Sequence, residues 1–239
     1  DADATCPLFR ESIRFATCER ADYVRYLQRA LGYTLWGHTN MQRFFVVYGE
    51  SGNGKGTLFH TMERILGPFV TTVSPNMLSK AYSGNPNAPQ PAIMSLRGAR
   101  MFQCTEGEDR NQFDTAFVKQ LSGSDMLTGR AIMGSQVQFT PSGKLWLSSN
   151  TLPEVPQQDQ AMWRRMRILP FDAKIIHRDG AVEQKIYEEA PGILNWLIQG
   201  AVEFGKKNRF PACEAVKRAT RNARRNCDSV ALWLGARCL

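Results

Sequence analysis

Residues 44–57 read FFVVYGESGNGKGT, and the fold class turns on that run. FFVVY at 44–48 is a short, β-rich apolar stretch without polar alternation, the pattern of a strand buried on both faces of a parallel sheet. It leads directly into glycines at 49, 52 and 54, where a backbone must turn sharply and aim its N–H groups at phosphate oxygens, while Lys55 adds a positive charge. Leu58, Met62, Ile65 and Leu66 then supply one face of a helix. Strand, glycine loop and helix follow in the order of a phosphate-binding loop, whose candidate cradle is Gly49, Glu50, Ser51, Gly52, Asn53, Gly54, Lys55, Gly56 and Thr57. Gly56 stands where the Walker A pattern has Ser or Thr, so Thr57, one residue later, is the candidate hydroxyl for a magnesium ion. A ligand-free glycine turn is the alternative, and the flanking strand and helix argue against it.

Upstream, Val24, Leu27, Leu31 and Leu35 recur at helical spacing, so a small helical appendage precedes the loop. Downstream, SGNPNAPQP at 83–91 reads as a loop from its prolines and glycine. Beyond it, ARMFQCTE reads as a second strand, DTAFVKQL at 114–121 as a short helix, QVQFT at 136–140 as a strand and KLWLSSN at 144–150 as another with a polar tip. Ile193, Leu194, Leu197, Ile198, Ala201 and Phe204 form a helical stripe expected to pack in the core. The alternation predicts an α/β fold in which an ATPase core over 41–175, with a parallel central sheet, lies between helical regions at 1–40 and 176–239.

At 239 residues and 43% apolar, the chain is long enough to bury one ordinary core. Thirty basic residues against twenty-two acidic leave a net charge of +8, which favours a phosphate backbone as partner, although solvated Lys and Arg faces give the same excess. The six cysteines show neither a CxxC pair nor the spacing of a disulfide scaffold, which points to reduced thiols in a cytosol-like compartment. His38, His60 and His177 show no metal-ligand spacing with them, so no zinc site is expected. No apolar run reaches the roughly 18 residues of a membrane span. Because the chain opens on Asp1, it is expected to be a segment of a longer polypeptide.

A bound ATP needs magnesium, an acid to steady the ion and a group to orient the attacking water. Glu106 and Glu108, just beyond the second strand, offer the first to the metal and the second to the water. Asn150 ends the KLWLSSN strand with an amide able to bond both γ-phosphate and water, although asparagine there also serves as a plain turn former. AMWRRMRILPF sets Arg164, Arg165 and Arg167 in a dense cluster, which reads as surface charge or as the source of an arginine finger. Arg218, Arg221 and Arg225 would share a helical face, for which solvation is the plainer reading.

Taken in order, these motifs resemble the superfamily 3 helicases, in particular the phage and plasmid primase-helicase group related to the poxvirus primase-helicase. YLQRALGYTLWGHTNMQRFFVVYGESGNGKGT is similar to that family's motif A, TEGEDRNQFDTAFVKQLSGSD to motif B with Glu106 and Glu108 as its acids, KLWLSSN to motif C with Asn150 as sensor, and MWRRMRILPF to the finger segment with Arg164 or Arg165. The resemblance implies an AAA+-like motor that uses ATP and Mg2+ at the subunit interfaces of a homo-hexamer. Such a ring moves 3′ to 5′ along single-stranded DNA in its channel, unwinds forked duplex, and leaves room for a primase region in the same polypeptide. It also implies a DNA-touching hairpin within LTGRAIMGSQVQFTPSGK, whose basic residues are Arg130 and Lys144. A small-molecule kinase and a non-unwinding AAA+ loader are the rival readings.

Overall fold

FFVVY forms β1 (Phe44–Tyr48) and lies between two parallel neighbours, β6 (Lys144–Ser149) and β7 (Met166–Pro170), with Val46 opposite both Leu147 and Ile168. The structure, a computed structural model, describes residues 1–80, 89–105, 113–175 and 180–227. β2 (Val70–Thr72) and β3 (Met101–Thr105) complete a parallel sheet of order β2-β3-β6-β1-β7. Both faces of β1 are covered, which is why its apolar residues run without alternation.

Alternate side chains divide between two cores. Phe45, Val47, Trp146 and Leu169 face α1 (Pro7–Ala16), α2 (Ala21–Leu35), α3 (Lys55–Leu66), α7 (Val182–Glu188) and α8 (Ala190–Lys207). Phe44, Val46, Leu147 and Ile168 face α5 (Thr115–Ser122) and α6 (Gln160–Arg165). The short helix α4 (Pro91–Met94) packs under a separate antiparallel hairpin of β4 (Leu127–Arg130) and β5 (Gln136–Phe139). On the outer edge of the sheet, α9 (Glu214–Asn226) runs along β7, and Thr220 Oγ1 accepts the Ile168 amide at 3.1 Å. That contact covers an edge strand that would otherwise expose an open ladder.

The appendage and the C-terminal helices pack directly on each other. A Cβ placed on Gly32 of α2 would stand 2.2 Å from the Ala201 amide nitrogen of α8, so the two backbones touch there. This close crossing narrows the buried face of α8. Ile193, Leu197 and Phe204 are buried as expected, but Leu194 and Ile198 are 40% and 46% exposed, a correction to the apolar stripe. Apolar periodicity marks a face without specifying how much of it a neighbour covers.

Candidate functional site

The glycine loop joins the C-terminal end of β1 to α3, and its geometry accounts for its composition. Gly52 and Gly54 adopt left-handed φ values of 80° and 90°, which favour glycine. At Gly49 a Cβ would meet both Asn53 Nδ2 and the Phe171 carbonyl oxygen at 2.2 Å. Asn53 is buried and donates from Nδ2 to the Phe171 carbonyl at 2.6 Å, which ties the loop to the chain leaving β7. Gly54, the N-cap of α3, has no side chain to satisfy the first-turn N–H groups; the Lys55 amide donates to Asn53 Oδ1 at 3.4 Å, and those of Gly56 and Thr57 are left to an anion.

Lys55 opens α3 and is nearly buried. Its Nζ donates toward Gly49 O at 2.5 Å, Glu50 O at 2.8 Å, Asn53 Oδ1 at 3.2 Å and Asn150 Oδ1 at 2.8 Å. All four partners are neutral oxygens, and burial pulls the ammonium pKa below its ordinary value. Asn150 reaches the loop because β6 lies beside β1 in parallel and ends level with it, with Ser149 opposite Tyr48. The backbone repeats this link, since the Gly49 amide donates to Ser149 O at 3.3 Å.

The expected acids, Glu106 and Glu108, lie outside the described residues, as does His177. The residue before them does not: Thr105 ends β3 opposite Ser148, so the chain leaves β3 at the loop's edge of the sheet, two strands from β1. Thr57, the candidate magnesium hydroxyl, donates to Glu183 Oε1 of α7 at 3.2 Å, and His60 Nδ1 stands 3.3 Å from Glu183 Oε2. Glu183 was not singled out from the sequence, because it lies far along the chain and in no motif. Gly56 has open space where a Cβ would be.

The arginines occupy the opposite end of the sheet. Arg164 and Arg165 close α6 immediately before β7, whose first residue pairs with Phe44 at the start of β1. They stand at least a strand's length, about 13 Å, from the loop at the other end, so the fold does not bring them to the loop of their own chain. Arg164 is exposed and donates to Gln42 Oε1 at 3.0 Å, whereas Arg165 is 8% exposed and donates to the Ala161 carbonyl.

Of the two residues proposed for DNA, Arg130 ends β4 and its Nε donates to Gly134 O across the hairpin tip. Ile132 and Met133 are the most exposed apolar residues at that tip. Lys144 does not belong to the hairpin, which corrects the expectation. It begins β6 and is buried, and its Nζ donates to the carbonyls of Trp36 and Ser142 and lies 4.6 Å from the centre of the Tyr33 ring. Burial, helped by the nearby Arg100, lowers its pKa to about 7. A sealed ammonium satisfied by backbone oxygens offers no charge to a DNA backbone.

A cavity of about 1390 Å3 lies away from the loop, at the Arg164 end of the sheet, between α2, α6 and α9.

No protein-family model matches the chain. It is 28% identical over 166 residues, 70% of its length, to a protein of Acanthamoeba polyphaga mimivirus named "Putative helicase L207/L206". It is 29% identical over 140 residues, 56% of its length, to "Putative helicase 121R" of Invertebrate iridescent virus 3, and 27% identical over 133 residues, 54% of its length, to "Putative helicase 022R" of Frog virus 3. It spans 17%, 15% and 14% of those proteins respectively, less than a fifth of each. Among solved structures, the apo C-terminal region of NrS-1 superposes with a TM-score of 0.69 at 14% identity, over 93% of this chain and 54% of that one. A second apo form of the same region gives 0.67 at 15% identity, over 93% and 53%. These likenesses support the α/β fold with its five-stranded parallel sheet.

Proposed function

We propose that the chain is the ATP-hydrolysing motor of a DNA helicase. The observation that carries this reading is the junction of Lys55 Nζ with Asn150 Oδ1 at 2.8 Å, which joins a phosphate-binding loop to the strand-end amide of the neighbouring strand. The cradle fits a triphosphate. Its glycines leave no Cβ in the loop's path, the Gly56 and Thr57 amides of α3 are open to an anion, and the lysine is held only by neutral oxygens that a phosphate outcompetes. Lys55 and the loop amides hold the β- and γ-phosphates, and Asn150, already at the ammonium, senses the γ-phosphate and helps align water. Thr57 and Glu106 would hold magnesium, and Glu108 would orient the attacking water. Magnesium, when bound, supplies Lewis-acid charge to the phosphate oxygens.

In this reading Arg164 or Arg165 serves a neighbouring protomer, since both lie at the far end of the sheet from their own loop. A homo-hexameric ring of superfamily 3 type, stepping 3′ to 5′ on single-stranded DNA, meets that requirement, with the β4–β5 hairpin and Arg130 turned to the strand. The names of the viral relatives support helicase function. The test is ATP hydrolysis with and without single-stranded DNA, together with strand displacement on a forked duplex. Stimulated hydrolysis and displacement are expected. Hydrolysis that leaves the duplex paired would favour a loader, and phosphoryl transfer to a small acceptor would favour a kinase.

A further inference from the structure

The 1390 Å3 cavity at the Arg164 end is a cleft whose wall chemistry is one-sided. Its floor carries Arg29, Arg43 and Arg167, its mouth Arg164, Lys207 and Arg209. The α9 wall adds Lys217, Arg221 and Arg224, and no Asp or Glu among the described residues lines it. Without these nine the chain has twenty-one basic residues against twenty-two acidic, so the whole positive excess of the sequence is gathered here.

The floor is also short of counter-charge. Arg43 donates to the Gln42 carbonyl, and Arg167 to the carbonyls of Arg164 and Met166, all neutral oxygens. The Nε atoms of Arg29 and Arg43 are buried without a hydrogen-bond partner among the described residues. Glu203 reaches Arg29 of the floor at 3.4 Å and Lys207 of the mouth at 3.9 Å, and Glu214 reaches Lys217, so acids relieve the rim and one floor arginine, while Arg43 and Arg167 meet no acid among the described residues. Tyr26 adds none, because burial raises its phenol to about 12 against the pull of Arg167 and Arg43. Burial and the neighbouring Arg167 lower Arg43 to about 10, so it stays charged at neutral pH in a site that disfavours its charge.

We infer that this cleft binds the sugar-phosphate backbone of a nucleic-acid strand, as a contact separate from the hairpin. Lys217, Arg221 and Arg224 lie at i, i+4 and i+7, on one face of α9 spanning about 10 Å. A row of three cations on one helix face can meet successive phosphates of a strand. A nucleoside triphosphate carries roughly four negative charges, fewer than half of the nine cations present. Trp163 and Phe210 also line the cleft, but Trp163 is buried and Phe210 packs on Tyr26, Tyr33 and Phe204, so what the cleft offers a strand is charge. The inference does not depend on hydrolysis at the loop.

The experiment compares two matched pairs on the same helix. Arg221→Gln with Arg224→Gln removes two cleft cations, while Arg218→Gln with Arg225→Gln removes two exposed cations outside the cleft and the same net charge. Binding of a fluorescent thymidine 20-mer without nucleotide is followed by anisotropy over a salt series, with circular dichroism melts to verify folding. The cleft pair should bind at least about tenfold more weakly, with a log–log salt slope smaller by about 1.4, at about 0.7 for each lost contact to a single strand. The control pair should stay within about twofold. Equal weakening by both pairs, or an unchanged slope in the cleft pair, overturns the inference. So does a cleft pair that keeps the oligonucleotide but loses a fluorescent ATP analogue, since the cleft would then serve a neighbour's nucleotide. Lys55→Ala should bind the oligonucleotide like the unaltered chain, which separates this outcome from any failure of the hydrolysis reading.

Discussion

Two lysines at opposite ends of the same sheet show how differently one side chain can be used. Lys55 stands at the C-terminal edge of β1 and Lys144 at the N-terminal end of β6, both buried and both bonded to neutral oxygens. Lys55 shares its protons among the carbonyls of the glycine loop and Asn150, an exposed residue, so an incoming phosphate can displace its partners. Lys144 is closed in by Trp36, Tyr33 and the strand itself and is only 1% exposed, which leaves its ammonium shielded from an anion in solvent. Burial lowers both ammonium pKa values, and it lowers Lys144 to about 7. Desolvation of a lysine therefore does not mark a site by itself; replaceable partners do.

The strongest way to break this contrast is Lys55→Ala. Phosphate-release assays should show ATP hydrolysis reduced at least about a thousandfold, with the melting temperature little changed. Retained turnover would remove the phosphate role from Lys55. Next in size, Asn150→Ala should lower kcat about a hundredfold with a smaller change in KM. An effect confined to KM would make Asn150 a binding residue without a role in the reacting state.

Lys144 makes a prediction about pH. Its folded pKa of about 7 lies below the ~10.4 of an unfolded lysine. Below pH 7 both states are protonated and the burial penalty is fully present. Between pH 7 and 10 the unfolded state binds more protons, so stability rises with pH. Melting temperatures from pH 6.5 to 8.5 should climb, and Lys144→Met should flatten the climb attributable to this group. An identical profile in the variant would show that the ammonium is not sealed. The smallest effect concerns the magnesium hydroxyl. Thr57→Ala should reduce magnesium-dependent turnover about tenfold, and adding Gly56→Ser, whose Cβ has open space, should restore part of it. No rescue would leave Thr57, despite its bond to Glu183, as the hydroxyl that matters.

Much of the fold was legible in the residues. FFVVY, KLWLSS and MFQCT became strands, FFVVY because an uninterrupted apolar run suits a sheet covered on both faces, the other two around apolar centres broken by buried polar residues such as Gln103 and Ser148. Ala21–Leu35 became a helix over the span its periodicity marked. The loop was legible for a stronger reason, since glycine at 49, 52 and 54 answers local backbone demands that few other residues meet. Lys144 was misread because charge in a sequence says nothing about depth, and only the packing of Trp36 and Tyr33 over it shows that it is enclosed. The arginines of α9 were grouped as 218, 221 and 225, whereas 217, 221 and 224 face the cleft. Helical spacing permits both sets, and the choice depends on how α9 is rotated against β7.

By itself, then, the sequence determined what is local: the elements, the turning of the loop, and a positive excess of +8. The tertiary structure decided what depends on neighbours distant in the chain. It brought Asn150 to Lys55 across 95 residues, paired Thr57 with Glu183, sealed Lys144 and gathered nine cations from four parts of the chain into one cleft. The physical reason is range. Backbone preferences act over a few residues, whereas burial and charge act through space, and only the closed sheet sets those distances.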